Sequence, residues 1–244
     1  MNTQFPLNTV IWIVLNMFIF GVIVVFILNQ SFSKIAIGAK AKHTSLATVI
    51  IWLITWFVAR TVLGHSRIIA PQKLVPLAFL VVYSSVAIAM RFSPIFRQAV
   101  LSIPQEKLIG LHIVRVGGFL FLALLDMRLL PAEFALPAGY GDIAVALTAP
   151  VVVYALNRSR PFGRQLAIAW NFLGLLDFAI ALVTGMTFIR PYVRQLAMSG
   201  HSIAYLDYVL MIPGFAVPIL ALIHVNSLYG LFTERRANSC SAGI

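Results

Sequence analysis

The chain has 244 residues, of which 61% are hydrophobic and only 10% are charged. Soluble domains carry about 25% charged residues, so this composition excludes a soluble globular protein and is typical of a chain surrounded by lipid. The net charge is +11 at pH 7. However, the basic residues are spread over several connections instead of forming one patch with interleaved aromatic residues, which argues against a nucleic-acid partner.

Seven apolar stretches follow one another along the chain, and each approaches the roughly 20 residues that a helix needs to cross a bilayer. In lipid, the backbone groups must be satisfied within each segment, and the stretches lack the alternating pattern of barrel strands. We therefore predict an all-α membrane protein, a single bundle of seven transmembrane helices without a soluble domain. The predicted spans are 8–28, 45–64, 74–90, 109–130, 135–156, 166–188 and 208–230, followed by a polar, disordered tail over 231–244.

The first span lacks the basic flank and the small-residue cleavage site of a signal peptide, so we interpret it as a retained helix. Cytoplasmic connections carry an excess of Lys and Arg. With the N-terminus outside, eleven such residues fall on inner connections and five on outer ones. This count favours an outer N-terminus and a cytoplasmic C-terminus. The single cysteine, Cys240, excludes an intramolecular disulfide.

Two connections are long enough to carry structure of their own. The segment 93–107 interleaves apolar residues with Arg97, Gln98 and Gln105, as in a short helix lying in the membrane interface. An ordinary loop with a few buried apolar residues is the alternative. The outer connection 190–207 has room to fold over a site, and neither connection carries a recognisable motif.

Ionisable side chains at membrane depth are the strongest candidates for function, because each is costly in hydrocarbon and usually faces the bundle interior. The candidates are His112, Arg115, Asp126, Asp142, Asp177 and His224. Helical periodicity places His112 and Arg115 on one face of the fourth span, and Asp126 returns to nearly the same direction. In the sixth span, Trp170 shares a face with Asp177, whereas Asn171 points elsewhere.

The segment 136–142, Leu-Pro-Ala-Gly-Tyr-Gly-Asp, is the least helix-like sequence inside any span. An unbroken helix from Asp142 to Leu156 would rise only about 21 Å, which is too short for the bilayer core. We therefore expect non-helical backbone at membrane depth here, as in the broken helices that build transporter sites. The alternative is that Asp142 caps the start of a shortened fifth helix.

Arg115 needs a counter-ion at this depth, and Asp142 or Asp177 is the natural one. We predict a substrate or ion site of Arg115, Asp142, Asp177 and His224, flanked by His112, Asp126 and Trp170. The leading hypothesis is transport of a small solute or ion, with a proton as a partner of the site. An ion pair that only fixes helix packing is the alternative reading of the same residues.

Two further functions stay open at this point. His112 and His224 are candidate ligands of a haem or of a metal ion in a redox protein or enzyme, although no cofactor is favoured. A noncatalytic sensor or assembly component is the other function, and a homo-oligomer is compatible with the sequence. The chain lacks GxxxxGK[ST], HExxH and GxSxG motifs, so enzymatic activity is the less favoured class. All five lysines lie outside the seventh span, which excludes a retinal Schiff base there.

Four segments in the second half of the chain carry a resemblance to a family. In order, they are HIVRVGGFLFL, FALPAGYGDIAVALTAP, WNFLGLLDFAIALVTG and VPILALIHVNSL. Taken together they resemble a group of bacterial multi-pass membrane proteins of uncharacterised function with a PAGxGD segment. The resemblance implies a helical bundle in a bacterial cytoplasmic membrane, and it implies no particular activity.

Overall fold

The computed structural model describes residues 7–66, 71–158, 162–201, 203 and 205–241, and within these ranges the chain is helical with no strand. Seven of the described helices are long and apolar enough to cross a membrane. We call them the first to the seventh membrane helix, with the bounds Thr9–Phe32, Ala39–Ser66, Lys73–Phe92, Gln105–Asp126, Ala132–Asn157, Gly163–Met198 and Leu206–Thr233. The predicted all-α protein with seven membrane-compatible helices is confirmed.

Several of these spans belong to longer helices. The helix of the first span begins at Leu7, that of the third begins at Pro71, and the last helix is described to Ser241. The disordered tail over 231–244 stays a prediction, and residues 242–244 and the side chains of 234–241 lie outside the described part. The orientation of the bundle stays a prediction as well.

The connection between the third and fourth membrane helices contains the short helix Pro94–Leu101, where the sequence pattern predicted one. Ser93 caps its N-terminus, since the Ser93 hydroxyl accepts a hydrogen bond from the Phe96 amide at 3.2 Å. Ala99 is fully buried against the first membrane helix, and Ser31 donates a hydrogen bond to the Ala99 carbonyl. The short helix is therefore fixed to the end of the first membrane helix.

The seventh membrane helix is the most enclosed of the seven, and it contacts the first, second, third, fourth and sixth helices. It begins irregularly: a short turn Leu206–Val209 is followed by a π-helical segment, Ile212–Ala216, that contains Pro213.

The fourth membrane helix is irregular too, because Leu111–Gly118 is wound as a 3-10 helix. A 3-10 helix has three residues per turn, so His112 and Arg115 lie one above the other.

The predicted break at 136–142 is wrong. The fifth membrane helix is continuous from Ala132 to Asn157, and Asp142 lies in its interior instead of capping its start. Pro137 and Pro150 both lie inside this helix, where each removes one backbone hydrogen bond without interrupting the helix. The two glycines serve packing: a Cβ added at Gly139 would lie 2.7 Å from a Leu122 methyl, and one at Gly141 would overlap the Asp177 carboxylate.

Gly118 brings the fourth and fifth membrane helices together. A Cβ added at Gly118 would lie 2.6 Å from the Asp142 Cβ and 2.9 Å from the Gly139 carbonyl oxygen, and neither atom belongs to a flexible side-chain end. The neighbouring Gly117 differs, since its nearest contact would be Asn16 Oδ1 at 3.9 Å. Only one of these two adjacent glycines is required by the packing.

We expect Gly118→Ala to destabilise the protein and Gly117→Ala to leave it nearly unchanged. Overpacking of a close contact costs roughly 1–3 kcal/mol, whereas the loss of glycine in a helix is favourable when space is available. Thermal unfolding in detergent, followed by circular dichroism, measures both variants. Equal midpoints for the two variants would show that the helices do not approach as closely as described.

Candidate functional site

Arg115 is the centre of a group of polar side chains supplied by four helices. Its Nε donates to Asp142 Oδ1 at 2.7 Å, and its Nη2 donates to Asp177 Oδ2. Its Nη1 lies 3.2 Å from His224 Nε2 and 3.5 Å from the Gly174 carbonyl oxygen. We call Arg115, Asp142, Asp177 and His224 the Arg115 cluster. The fourth, fifth, sixth and seventh membrane helices therefore meet at one guanidinium group.

The Phe178 ring covers one face of the Arg115 guanidinium group. Its central carbon lies 3.9 Å from the centroid of the Phe178 ring, over the ring face, which is favourable for a cation. The Arg115 side chain is 1% exposed, so protein groups replace water around the charge. Gly174 leaves room for the neighbouring His224 ring, because a Cβ there would overlap that ring.

The tautomer of His224 follows from its two neighbours. A guanidinium group only donates hydrogen bonds, so His224 Nε2 must accept the contact from Arg115. On the other side of the ring, Nδ1 lies 2.8 Å from Asn171 Oδ1. The Asn171 amide nitrogen donates to the Ala167 carbonyl, which fixes the oxygen as the atom that faces the histidine. His224 is therefore neutral in this arrangement, with its proton on Nδ1.

A chain of hydrogen bonds continues from His224 toward the predicted inner end of the bundle. The Asn171 amide donates to Ser227 Oγ at 2.9 Å, and Ser227 Oγ donates to Gln105 Oε1 at 2.7 Å. Gln105 Nε2 in turn donates to the Ser227 carbonyl at 3.1 Å. Polar groups therefore connect Arg115 with the start of the fourth membrane helix.

The expectation that Asn171 points away from the site is wrong. Its side chain is fully buried and lies between His224 and Ser227. The periodicity argument considered one face of the sixth helix, the face that carries Trp170 and Asp177. The sixth helix in fact contacts both the fifth and the seventh helices, so two of its faces line the interior. An asparagine inside an apolar span was the available signal, because a buried amide must find partners.

His112 forms an aromatic layer beside the cluster. Its ring stacks on the His224 ring with centroids 3.8 Å apart, and the edge of the Trp170 ring packs against it at 5.3 Å. Trp170 Nε1 donates to Thr148 Oγ1 at 2.9 Å. Neither nitrogen of the fully buried His112 ring has a hydrogen-bond partner among the described residues.

The geometry does not place His112 and His224 as the two axial ligands of one haem. Axial ligands of one haem must face each other across the macrocycle, whereas His112 and His224 stack directly with no space between their rings. Both nitrogens of His224 are also engaged, by Arg115 and by Asn171. Within the described residues, no group of three or more potential ligands is placed to hold a metal ion.

The charges in the cluster do not balance. One guanidinium faces two carboxylates, and His224 is neutral, so the ionised cluster carries a net charge of −1. The two acids are less enclosed than the arginine: the Asp142 and Asp177 side chains are 16% and 13% exposed, against 1% for Arg115. The excess charge therefore lies at the more open side of the site.

Of the seven predicted site residues, the structure brings six together and leaves out Asp126. Asp126 is the exposed last residue of the fourth membrane helix. It has a direction similar to that of Arg115 but lies eleven residues away, which is about 16 Å along a helix axis. A shared direction on a helix does not imply a shared site.

A second buried cation was missed by the sequence analysis. Arg60, in the second membrane helix, is 1% exposed, and none of its guanidinium nitrogens has a hydrogen-bond partner among the described residues. It interacts electrostatically with the buried Asp207. Gly64 and Gly214 make room for it, since a Cβ at either would crowd its guanidinium group. Asp207 was assigned to an outer connection, so the two residues were not considered together.

These observations define the class: a polytopic helical membrane protein with a buried ionic cluster between its last four membrane helices. Residues 72–232 match the family model described as a domain of unknown function (DUF8737), so the chain belongs to that family. The match contains every residue of the Arg115 cluster. No curated protein and no solved structure matches the chain.

We expect Arg115→Gln to destabilise the protein strongly. Removing one partner of a buried ion pair costs roughly 3–5 kcal/mol, and here two carboxylates would be left without a cation. Arg194→Gln is the matched control, because it makes the same change at an exposed position. Thermal unfolding in detergent should show a large shift for the first variant only. A similar small shift of the unfolding midpoint in both variants would mean that Arg115 is not paired with Asp142 and Asp177.

Proposed function

We propose that this protein moves a small solute or ion across the membrane, with the Arg115 cluster as its intramembrane site. In this proposal, transport is coupled to a proton at Asp142 or Asp177. The observation that carries the proposal is the shared guanidinium: two carboxylates compete for one cation. Binding of one proton or one small cation makes the cluster neutral. A net charge at membrane depth is costly.

The surroundings of the cluster support a site that changes state. Protonation of Asp177 removes the charge that holds Arg115 Nη2, and the guanidinium is then attracted more strongly to Asp142. Irregular helix turns lie nearby, in the 3-10 segment Leu111–Gly118 and the π segment Ile212–Ala216. Such segments often mark hinges or functional sites within longer helices.

We expect pH-dependent proton entry into liposomes that contain the full chain, an internal pH dye and a potassium diffusion potential. Asp142→Asn or Asp177→Asn should lower the rate by about tenfold or more, equivalent to about 1.4 kcal/mol, because an amide cannot accept the proton. Asp126→Asn is the control, since Asp126 is exposed and lies outside the cluster. Replacement of Cys240 should have no effect.

Charge movement after a pH jump provides a readout that needs no co-substrate. On a solid-supported membrane, a proton entering the cluster produces a transient current, which should be lost in both Asn variants. Unchanged currents in folded Asp142→Asn and Asp177→Asn would remove the proposed role. A packing role would instead be supported if replacing Arg115, Asp142 and Asp177 together by apolar residues left flux intact, since buried ion pairs are often replaceable.

We further propose that the membrane is a bacterial cytoplasmic membrane and that the N-terminus lies outside. The family resemblance of the four segments supports the first statement, and the excess of Lys and Arg on the predicted inner connections supports the second. The seven apolar helices support a lipid bilayer as the environment. A homo-oligomer is compatible with the proposal and is not required by it.

The single cysteine allows a direct test of the orientation. In spheroplasts, a membrane-impermeant maleimide should leave Cys240 unlabelled until the membrane is permeabilised. In the variant Cys240→Ser, Ser199→Cys, the new cysteine follows the sixth membrane helix at an exposed position and should be labelled without permeabilisation. The reverse pattern would place the N-terminus inside.

A further inference from the structure

A large cavity lies away from the Arg115 cluster, between the first, second, third, fourth and seventh membrane helices and the short helix Pro94–Leu101. Its volume is about 680 Å³, within the range of about 300–1,000 Å³ that is usual for ligand sites. Apolar side chains form almost all of its wall, among them Trp52, Val86 and Ile219. It extends from Thr44 to Leu53 along the second helix, a depth of about 13 Å.

The charged groups among the described lining residues of the cavity lie at one end. Arg97 and Lys107 contribute positive charge there, and none of the described residues that line the cavity is acidic. Thr44, Ser45 and Ser93 add hydroxyl groups near the same membrane surface. Arg97 lies on the short helix and Lys107 in the first turn of the fourth membrane helix, whereas the apolar wall continues along the second and third membrane helices. The cavity is therefore amphipathic, with a cationic mouth.

We infer that this cavity binds an anionic phospholipid of the surrounding bilayer, with one acyl chain inside and the headgroup at Arg97 and Lys107. The apolar depth suits a hydrocarbon chain and offers few partners to a polar solute. The mouth is complementary to a phosphate, and basic pockets between membrane helices on the cytoplasmic side bind anionic headgroups. A cationic or zwitterionic headgroup lacks this complementarity.

The inference does not depend on the proposed transport. The inner wall of the cavity includes Leu111 and Ile223, which precede His112 and His224 in the sequence. The cavity therefore adjoins the buried aromatic layer but uses none of the side chains of the Arg115 cluster. A variant can therefore lose lipid binding without losing proton flux, and a variant can lose proton flux without losing lipid binding.

Native mass spectrometry of the full detergent-purified chain tests the inference. Phosphatidylglycerol and phosphatidylcholine with identical acyl chains serve as the probes. We expect phosphatidylglycerol to bind one per chain at least fivefold more tightly than phosphatidylcholine. Arg97→Gln with Lys107→Gln should abolish the difference between the lipids. The matched control is Lys34→Gln with Arg158→Gln, which removes two exposed basic residues that do not line the cavity and should keep the preference.

A second variant tests the apolar part of the cavity. Ala89→Trp places a large ring in the cavity wall and should weaken the binding of both lipids, while circular dichroism checks that the variant is folded. Equal affinities for the two lipids in the parent chain, or equal losses in both charge-pair variants, would overturn the inference. Displacement of phosphatidylglycerol by equimolar oleate would also overturn it, since the occupant would then be a free fatty acid.

Discussion

The need to compensate one buried guanidinium group organises the half of the chain that forms the Arg115 cluster. An isolated charge at membrane depth is prohibitively costly unless it is paired and hydrogen-bonded. Arg115 meets this requirement with Asp142, Asp177, His224 and the Phe178 ring. These partners come from three different helices, so satisfying the arginine fixes the positions of those helices relative to the fourth.

The close packing of these helices is a consequence of the same constraint. An arginine side chain reaches only a few ångströms, so the backbones of its partners must approach it, and side chains larger than glycine would prevent this. A Cβ at Gly118 would overlap the Asp142 Cβ and the Gly139 carbonyl, and a Cβ at Gly174 would overlap the His224 ring. In membranes, burial of apolar surface does not drive helix association. Close van der Waals packing and interhelical hydrogen bonds drive it instead, and small residues such as glycine permit both.

Much of this arrangement could be predicted from the sequence, because apolar spans and rare charges are strong signals in lipid. A pairing of Arg115 with Asp142 or Asp177 follows from the cost of an unpaired charge, but that argument does not predict that both carboxylates share the guanidinium. Asn171 could not be placed, because the periodicity of one helix does not indicate how many neighbours it has. The glycines of 136–142 were misinterpreted, since glycine permits both a broken helix and a close helix contact, and only the partner helix distinguishes them.

The number of acidic residues bears on the choice between packing and function. A cluster that served only to hold helices together would be satisfied by one carboxylate, since a single aspartate neutralises Arg115. The second carboxylate adds a charge that the cluster does not compensate, and its desolvation opposes folding. The proposal that a proton or cation enters and leaves the cluster rests on this imbalance of charge.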